Sequence, residues 1–261
     1  MRLRELAKEN YRLLDPVDPL RPYNRMIARA FTYRRLKQVA TLLRSGPTDG
    51  QPQTPRIPRP QLRLIPTDEG HLLKTQAQFI ERLMHRHRWV GNVAEIGFNA
   101  GHSSYLFLAA RPDVRVVAFD IGDHDYIDLA KEIIDRVFPG RHELIKGDSR
   151  QTVPAFTSEH PDCRFDLIFI DGGHKYEVAM ADLENCQGLS TPRSLVLMDD
   201  LQPSRDYGVG PVKAWHEAQA NGLVKEELLV EDGFPLIDLT VDDVAPESFV
   251  WGIGKYAHPG E

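Results

Sequence analysis

Two apolar runs in this chain end on acids: Phe165-Asp166-Leu167-Ile168-Phe169-Ile170-Asp171, and Ser194-Leu195-Val196-Leu197-Met198-Asp199-Asp200. If they are neighbouring parallel strands joined by a right-handed crossover, Asp171, Asp199 and Asp200 meet at one edge of a sheet. Three carboxylates so close repel one another unless a cation joins them. Hard oxygen ligands select Mg²⁺ or a similar ion that keeps open positions for a substrate. His174, three residues past Asp171, would stand over the same spot as a neutral base near pH 7. Acids that merely cap helices and a histidine that faces solvent are the structural alternatives.

A second constellation lies upstream, in Val93-Ala94-Glu95-Ile96-Gly97-Phe98-Asn99-Ala100-Gly101-His102-Ser103-Ser104, which reads as a buried strand, a glycine turn and a helix. Gly97 and Gly101 let the backbone pass close to a ligand, and the first amides of the helix turn their partial positive charge toward an anionic group. The spacing lacks the third glycine of the dinucleotide fingerprint Gly-x-Gly-x-x-Gly, so a pyrophosphate fits less well than a smaller cofactor bearing a carboxylate. The next apolar run, Val114 to Asp120, stops on an acid placed beside the first glycine turn, where it can accept both hydroxyls of a ribose. A cap or turn role is the alternative for Asp120. A third run, Glu143 to Lys146, leads into Gly147-Asp148-Ser149. Those side chains would meet an adenine edge, although turn chemistry also accounts for them.

Strands alternating with helical patterns predict an α/β domain on an open parallel sheet. A helix of about 18 residues opens at Thr67 or Asp68 as N-cap and closes in Met84-His85-Arg86-His87-Arg88. Tyr126 to Val137 supplies a crossover helix, Leu201 to Gly210 a mobile loop at the mouth of the site, and Pro211 to Ala220 another helix. Leu223 to Val230 and Phe249 to Tyr256 form an antiparallel hairpin closing the sheet. Residues 1 to 14 and about 23 to 45 have helical spacing, and a Pro-rich stretch runs from Ser45 to Pro66. This divides the chain into an arm, residues 1 to 66, and a catalytic domain, residues 67 to 261.

The 261 residues are 41% hydrophobic, enough for one large core. The net charge of −6 is uneven: residues 1 to 64 hold 14 Lys and Arg against 5 Asp and Glu, leaving −15 on the remainder. A basic arm folding onto an acidic body, or onto a second copy, explains this without nucleic acid, and the arm shows no aromatic stacking pattern. No apolar run approaches the roughly 18 residues that span a bilayer. Met1-Arg2-Leu3-Arg4 leads into no signal-peptide core. Cys163 and Cys186 form no metal spacing or disulfide framework, so two idle thiols in the cytoplasm are expected.

With these residues in hand, the stretch from about Thr67 to Tyr256 resembles class I S-adenosylmethionine-dependent methyltransferases, specifically the metal-dependent O-methyltransferases. Glu95, Gly97, Gly101 and Ser103 match the Glu-x-Gly-x-x-x-Gly-x-Ser motif of catechol-type enzymes. The resemblance implies a Rossmann-like, doubly wound, mostly parallel seven-stranded sheet and a cofactor site of Glu95, Gly97, Asn99, Gly101, Ser103, Asp120, Asp148, Ser149 and Asp171. It implies Mg²⁺ on Asp171, Asp199 and Asp200, although the third ligand in catechol-type enzymes is Asn. The catalytic Lys of that type is replaced by His174. Asp-Gly-x-His-x-Tyr-Glu followed by Asp-Asp is similar to macrolide-sugar O-methyltransferases, in which histidine is the base. A small-molecule hydroxyl acceptor, sugar-like, polyol or phenolic, is therefore implied. A metal-independent N- or O-methyltransferase, a nicotinamide-dependent oxidoreductase and a non-catalytic cofactor binder remain the alternatives.

Overall fold

The computed structural model describes residues 72–258 except 237–239 and 247, together with Pro19, Pro22, Tyr23 and Met26. Apart from those four residues, the two arm helices lie outside the described residues, as do the Pro-rich stretch and the Thr67 or Asp68 cap.

Among the described residues, eight strands make one sheet: β1 (Asn92–Ile96), β2 (Arg115–Asp120), β3 (His142–Lys146), β4 (Leu167–Ile170), β5 (Leu195–Met198), β6 (Val224–Glu231), β7 (Phe234–Leu236) and β8 (Val250–Tyr256). Their order is β3-β2-β1-β4-β5-β8-β6-β7. The first five are parallel, while β8 runs antiparallel to both β5 and β6. β4 and β5 are buried at every position, as continuous apolar runs covered on both faces must be. The covering helices are α1 (Lys74–Arg86), α2 (His102–Ala110), α3 (Ile127–Val137), α4 (Ser149–Glu159), α5 (Tyr176–Gln187) and α6 (Val209–Ala220). One face packs Phe79, Phe107, Phe169 and Trp251; the other packs Ile168, Leu183, Val196 and Trp215.

The α/β sheet with its antiparallel C-terminal strands follows the sequence reading, but it has eight strands where seven were expected. The extra one is β7. Asp232 (φ 50°) and Gly233 (φ 82°) both take left-handed backbone, the two-residue turn that folds β7 back on β6. The helix before β1 begins at Lys74, not near Thr67, because Leu73 is already extended and its N–H is taken by Gln76 Oε1 at 2.8 Å. The sequence reading also passed over α4, whose interior Pro154 lacks a backbone N–H and breaks the helical pattern.

From central β1 the chain goes outward to β2 and β3, then returns to β4 and β5. The carboxyl ends of β1 and β4 therefore flank the crevice where strand order reverses. Ile96 pairs with Ile170, and Ile170 with Met198. Gly97, Asp171 and Asp199 thus step off the sheet side by side.

Candidate active site

A cavity of about 560 Å³ opens along this edge. Gly97, Asn99, Ser103, Asp120, Asp148, Ser149, Asp171, His174, Asp199 and Asp200 all line it. Two residues expected at the cofactor stand behind the wall instead: Glu95, which is fully buried, and Gly101.

At the glycine end, bare backbone is required by the protein's own packing. A Cβ on Gly97 (φ 95°) would lie 1.8 Å from the Asp171 carbonyl oxygen. One on Gly101 (φ 75°) would lie 2.8 Å from the Tyr23 hydroxyl and 2.9 Å from the Phe98 ring. Asn99 takes left-handed backbone (φ 47°), and its Oδ1 accepts the Tyr126 hydroxyl at 2.6 Å.

Asp120 caps this turn. Its Oδ2 accepts the amides of Phe98 (2.9 Å) and Asn99 (2.8 Å), and its Oδ1 accepts that of Gly122 (2.8 Å). A carboxylate offers about four acceptor positions. Among the described residues three are used, which leaves room for one ligand hydroxyl rather than two. Asp148 is the N-cap of α4: it accepts the Arg150 amide at 3.0 Å and pairs with the Arg150 guanidinium at 2.5 Å, which holds its carboxyl below the usual range.

Glu95 accepts the hydroxyls of Ser103 and Ser104. Burial still pushes its carboxyl up to about 7. Ser104 also meets His142 Nε2 at 3.0 Å, where burial holds the imidazole down to about 4 and Nδ1 has no partner among the described residues.

The acid end is different. Asp171 and Asp199 are both raised well above the usual carboxylate range, first by burial and then by neighbouring carboxylates, Asp199 and Asp200 acting on Asp171 and Asp200 acting on Asp199. The Asp200 N–H donates to Asp199 Oδ1 at 2.7 Å. Asp200 itself is left-handed (φ 60°). His174 Nε2 lies 2.9 Å from Asp200 Oδ2, and the His174 ring lies 5.5 Å from that of Tyr207. Behind them, a Cβ on Gly210 of α6 would come within 2.2 Å of the His174 carbonyl oxygen.

Asp171, Asp199 and Asp200 are hard oxygen donors of the kind Mg²⁺ takes, and a cation would relieve the repulsion that raises Asp171 and Asp199. The donor set fits such an ion in its chemistry. Among the described residues, however, no group of three or more acid, histidine or cysteine side chains is already gathered to hold one.

The cavity wall also includes residues the sequence reading missed, among them Gln76, His102, Ile121, Arg150 and Phe249, while Tyr207 comes from the loop expected at the mouth of the site. Gln76 carried a readable signal, a polar side chain on the apolar stripe of α1, where it is 1% exposed. Ile121, directly past Asp120, is 60% exposed. Phe249 and Arg150 reach the cavity only through tertiary folding.

Residues 94–201 match a family described as a methyltransferase domain. A Sinorhizobium fredii protein described as uncharacterized is 29% identical over 136 residues, which is 49% of this chain and 15% of that protein. The chain therefore spans a small part of that relative's length. Among solved structures, an O-methyltransferase from Bacillus cereus in complex with S-adenosylhomocysteine is similar at TM-score 0.56 and 18% identity, over 96% of this chain and 97% of that one. A TDP-rhamnose 3′-O-methyltransferase of calicheamicin biosynthesis gives 0.52 and 24%, over 70% and 80%. An O-methyltransferase from Streptomyces achromogenes involved in tomaymycin synthesis, in complex with S-adenosylmethionine, gives 0.53 and 20%, over 72% and 82%. These likenesses show the fold.

Proposed function

We propose, with the methyltransferase domain at residues 94–201 as premise, that the chain is an S-adenosylmethionine-dependent O-methyltransferase assisted by Mg²⁺. Its acceptor is a small-molecule hydroxyl. The observation that carries this reading is one cavity joining the glycine turn and Asp120 at one end to His174, Asp171, Asp199 and Asp200 at the other.

S-adenosylmethionine would lie against Gly97, Asn99, Ser103, Asp120, Asp148 and Ser149, and it supplies an activated methyl group. Mg²⁺ on Asp171, Asp199 and Asp200 would supply a Lewis acid that lowers the pKa of a bound hydroxyl and orients it. His174 removes the acceptor's proton, and Asp200, 2.9 Å from Nε2, stabilises the imidazolium that results. Methyl transfer is an in-line displacement, so holding the acceptor oxygen in line supplies much of the acceleration. Tyr207 and Phe249 wall the acceptor side and exclude water.

The Asp171-Gly-x-His174 pattern and the likeness to a TDP-rhamnose 3′-O-methyltransferase favour a sugar-like or polyol acceptor over a simple phenol. The same reading makes the protein cytoplasmic, without nucleic acid as partner, and assembled as a homo-oligomer through its N-terminal arm.

A second reading rests on the His174–Asp200 contact. If Asp200 serves the imidazole alone, the pair deprotonates the acceptor with no metal. Transfer of radiolabelled methyl from S-adenosylmethionine to a panel of sugars, polyols and phenols, with Mg²⁺ and with EDTA, tests both. Mg²⁺-dependent transfer supports the first reading and transfer in EDTA the second. No transfer to any hydroxyl, with methylation of amines instead, would overturn O-methylation.

A further inference from the structure

Tyr23 belongs to the N-terminal segment, far in sequence from the methyltransferase domain, yet it is fully buried against the glycine turn. Its hydroxyl donates to the Ala100 carbonyl at 2.7 Å. Its ring stacks on Tyr105 at 4.7 Å and meets His102 edge-on at 5.5 Å. The absent side chain of Gly101 makes the room, since a Cβ there would come within 2.8 Å of the phenol oxygen. Met26, three residues on, packs against the same core.

From these contacts we infer that Tyr23 is a positioning residue for the methyl-donor site, one that makes the N-terminal segment part of the cofactor cradle. The peptide joining Ala100 to Gly101 is held from both sides: Tyr23 takes its carbonyl, and its N–H donates to the Phe98 carbonyl at 2.7 Å. That peptide leads directly into the N-terminus of α2, so its orientation sets where the His102 and Ser103 amides point. Those amides form the positive end that an anionic ligand group meets. With the phenol gone, the Ala100 carbonyl loses this buried donor and the peptide is held from one side only, next to Gly101, the residue least able to resist its rotation.

The inference rests on S-adenosylmethionine being the donor, and its test separates the two claims. Tyr23→Phe keeps the ring stack and removes only the hydroxyl. Calorimetric titration of wild type and Tyr23→Phe would use S-adenosylhomocysteine and 5′-methylthioadenosine, which lacks the carboxylate-bearing end. The expected result is about fivefold weaker binding of S-adenosylhomocysteine by the variant, the size of one lost hydrogen bond, with 5′-methylthioadenosine binding unchanged. Equal binding of S-adenosylhomocysteine by both proteins, or equal weakening of both ligands, would overturn the role of Tyr23 alone. Failure of wild type to bind either ligand would overturn the donor assignment as well. Tyr23→Ala, which also removes the stack, should lose more than Tyr23→Phe, and a Tyr23→Ala that binds like wild type contradicts the inference.

Discussion

The two ends of the cavity are built on opposite electrostatic principles. At the glycine end, Asp120 takes three backbone amides, Glu95 two serine hydroxyls and Asn99 a tyrosine hydroxyl. At the acid end, Asp171 and Asp199 are raised by burial and by neighbouring acids; left-handed backbone occurs at both ends, in Asn99 and in Asp200. The first region is finished before a ligand arrives, and the second is left with charge that a cation, a proton or a substrate must answer. Acids that raise one another are the groups expected where chemistry is done, whereas a pocket that only has to hold a ligand can be paired in advance.

Breaking the acid end should have the largest effect on rate. His174→Ala is expected to lower turnover by about a thousandfold, within the range of general base catalysis, and to leave S-adenosylhomocysteine affinity unchanged. Steady-state kinetics set beside calorimetry would show this, and near wild-type turnover would remove His174 from the mechanism.

Stability should respond with opposite signs at the two ends. Asp120→Ala strips three partners from turn amides and is expected to cost about 3 kcal/mol. Asp171→Asn relieves repulsion and is expected to stabilise the metal-free protein by about 1 kcal/mol. Urea denaturation without Mg²⁺ checks both, and a destabilised Asp171→Asn would show the acid end to be as well paired as the other.

Behind the glycine end, a pH measurement sharpens the contrast. Glu95, raised in the fold from 4.5 to about 7, contributes stability that is full below about 4.5 and is lost as pH rises through 7. His142, lowered from 6.5 to about 4, contributes stability that is full above about 6.5 and is lost as pH falls through 4. Joined through Ser104, the two groups offset each other over nearly the same window. Glu95→Gln should therefore leave a stability that rises by about 2 to 3 kcal/mol between pH 4 and 6.5, and His142→Asn one that falls between pH 4.5 and 7. Thermal melts across that range report the slopes, and parallel curves for the two variants would refute the compensation.

A smaller effect is expected at Gly210→Ala. The added methyl would press on the His174 backbone and should lower turnover about tenfold through misplacement of the imidazole, with cofactor binding unaffected.

The acid-tipped strands were legible because period and termination are local properties: an apolar run that stops on Asp171 or Asp199 names both a strand and its functional end. Gly97 and Gly101 were legible as special, while what crowds them, the Asp171 carbonyl and the Tyr23 hydroxyl, comes from distant segments and was not. Asp120 was placed correctly at the turn, while its three amide partners depend on the curl of that turn. The strand β7 was missed although Asp232-Gly233 is a strong turn signal, because only three residues follow it in the strand. Phe249 reaches the cavity through packing that no local pattern encodes, whereas Gln76 left a signal on the apolar stripe of α1 and Tyr207 lies in the loop expected at the mouth of the site.

The most direct test of the central claim, that this edge of the sheet holds a methyl donor beside a base, is calorimetric titration of the protein with S-adenosylhomocysteine and with NAD⁺, each with Mg²⁺ and with chelator. Micromolar binding of S-adenosylhomocysteine and none of NAD⁺ is the predicted result. Binding of NAD⁺ instead, or of neither, would contradict it.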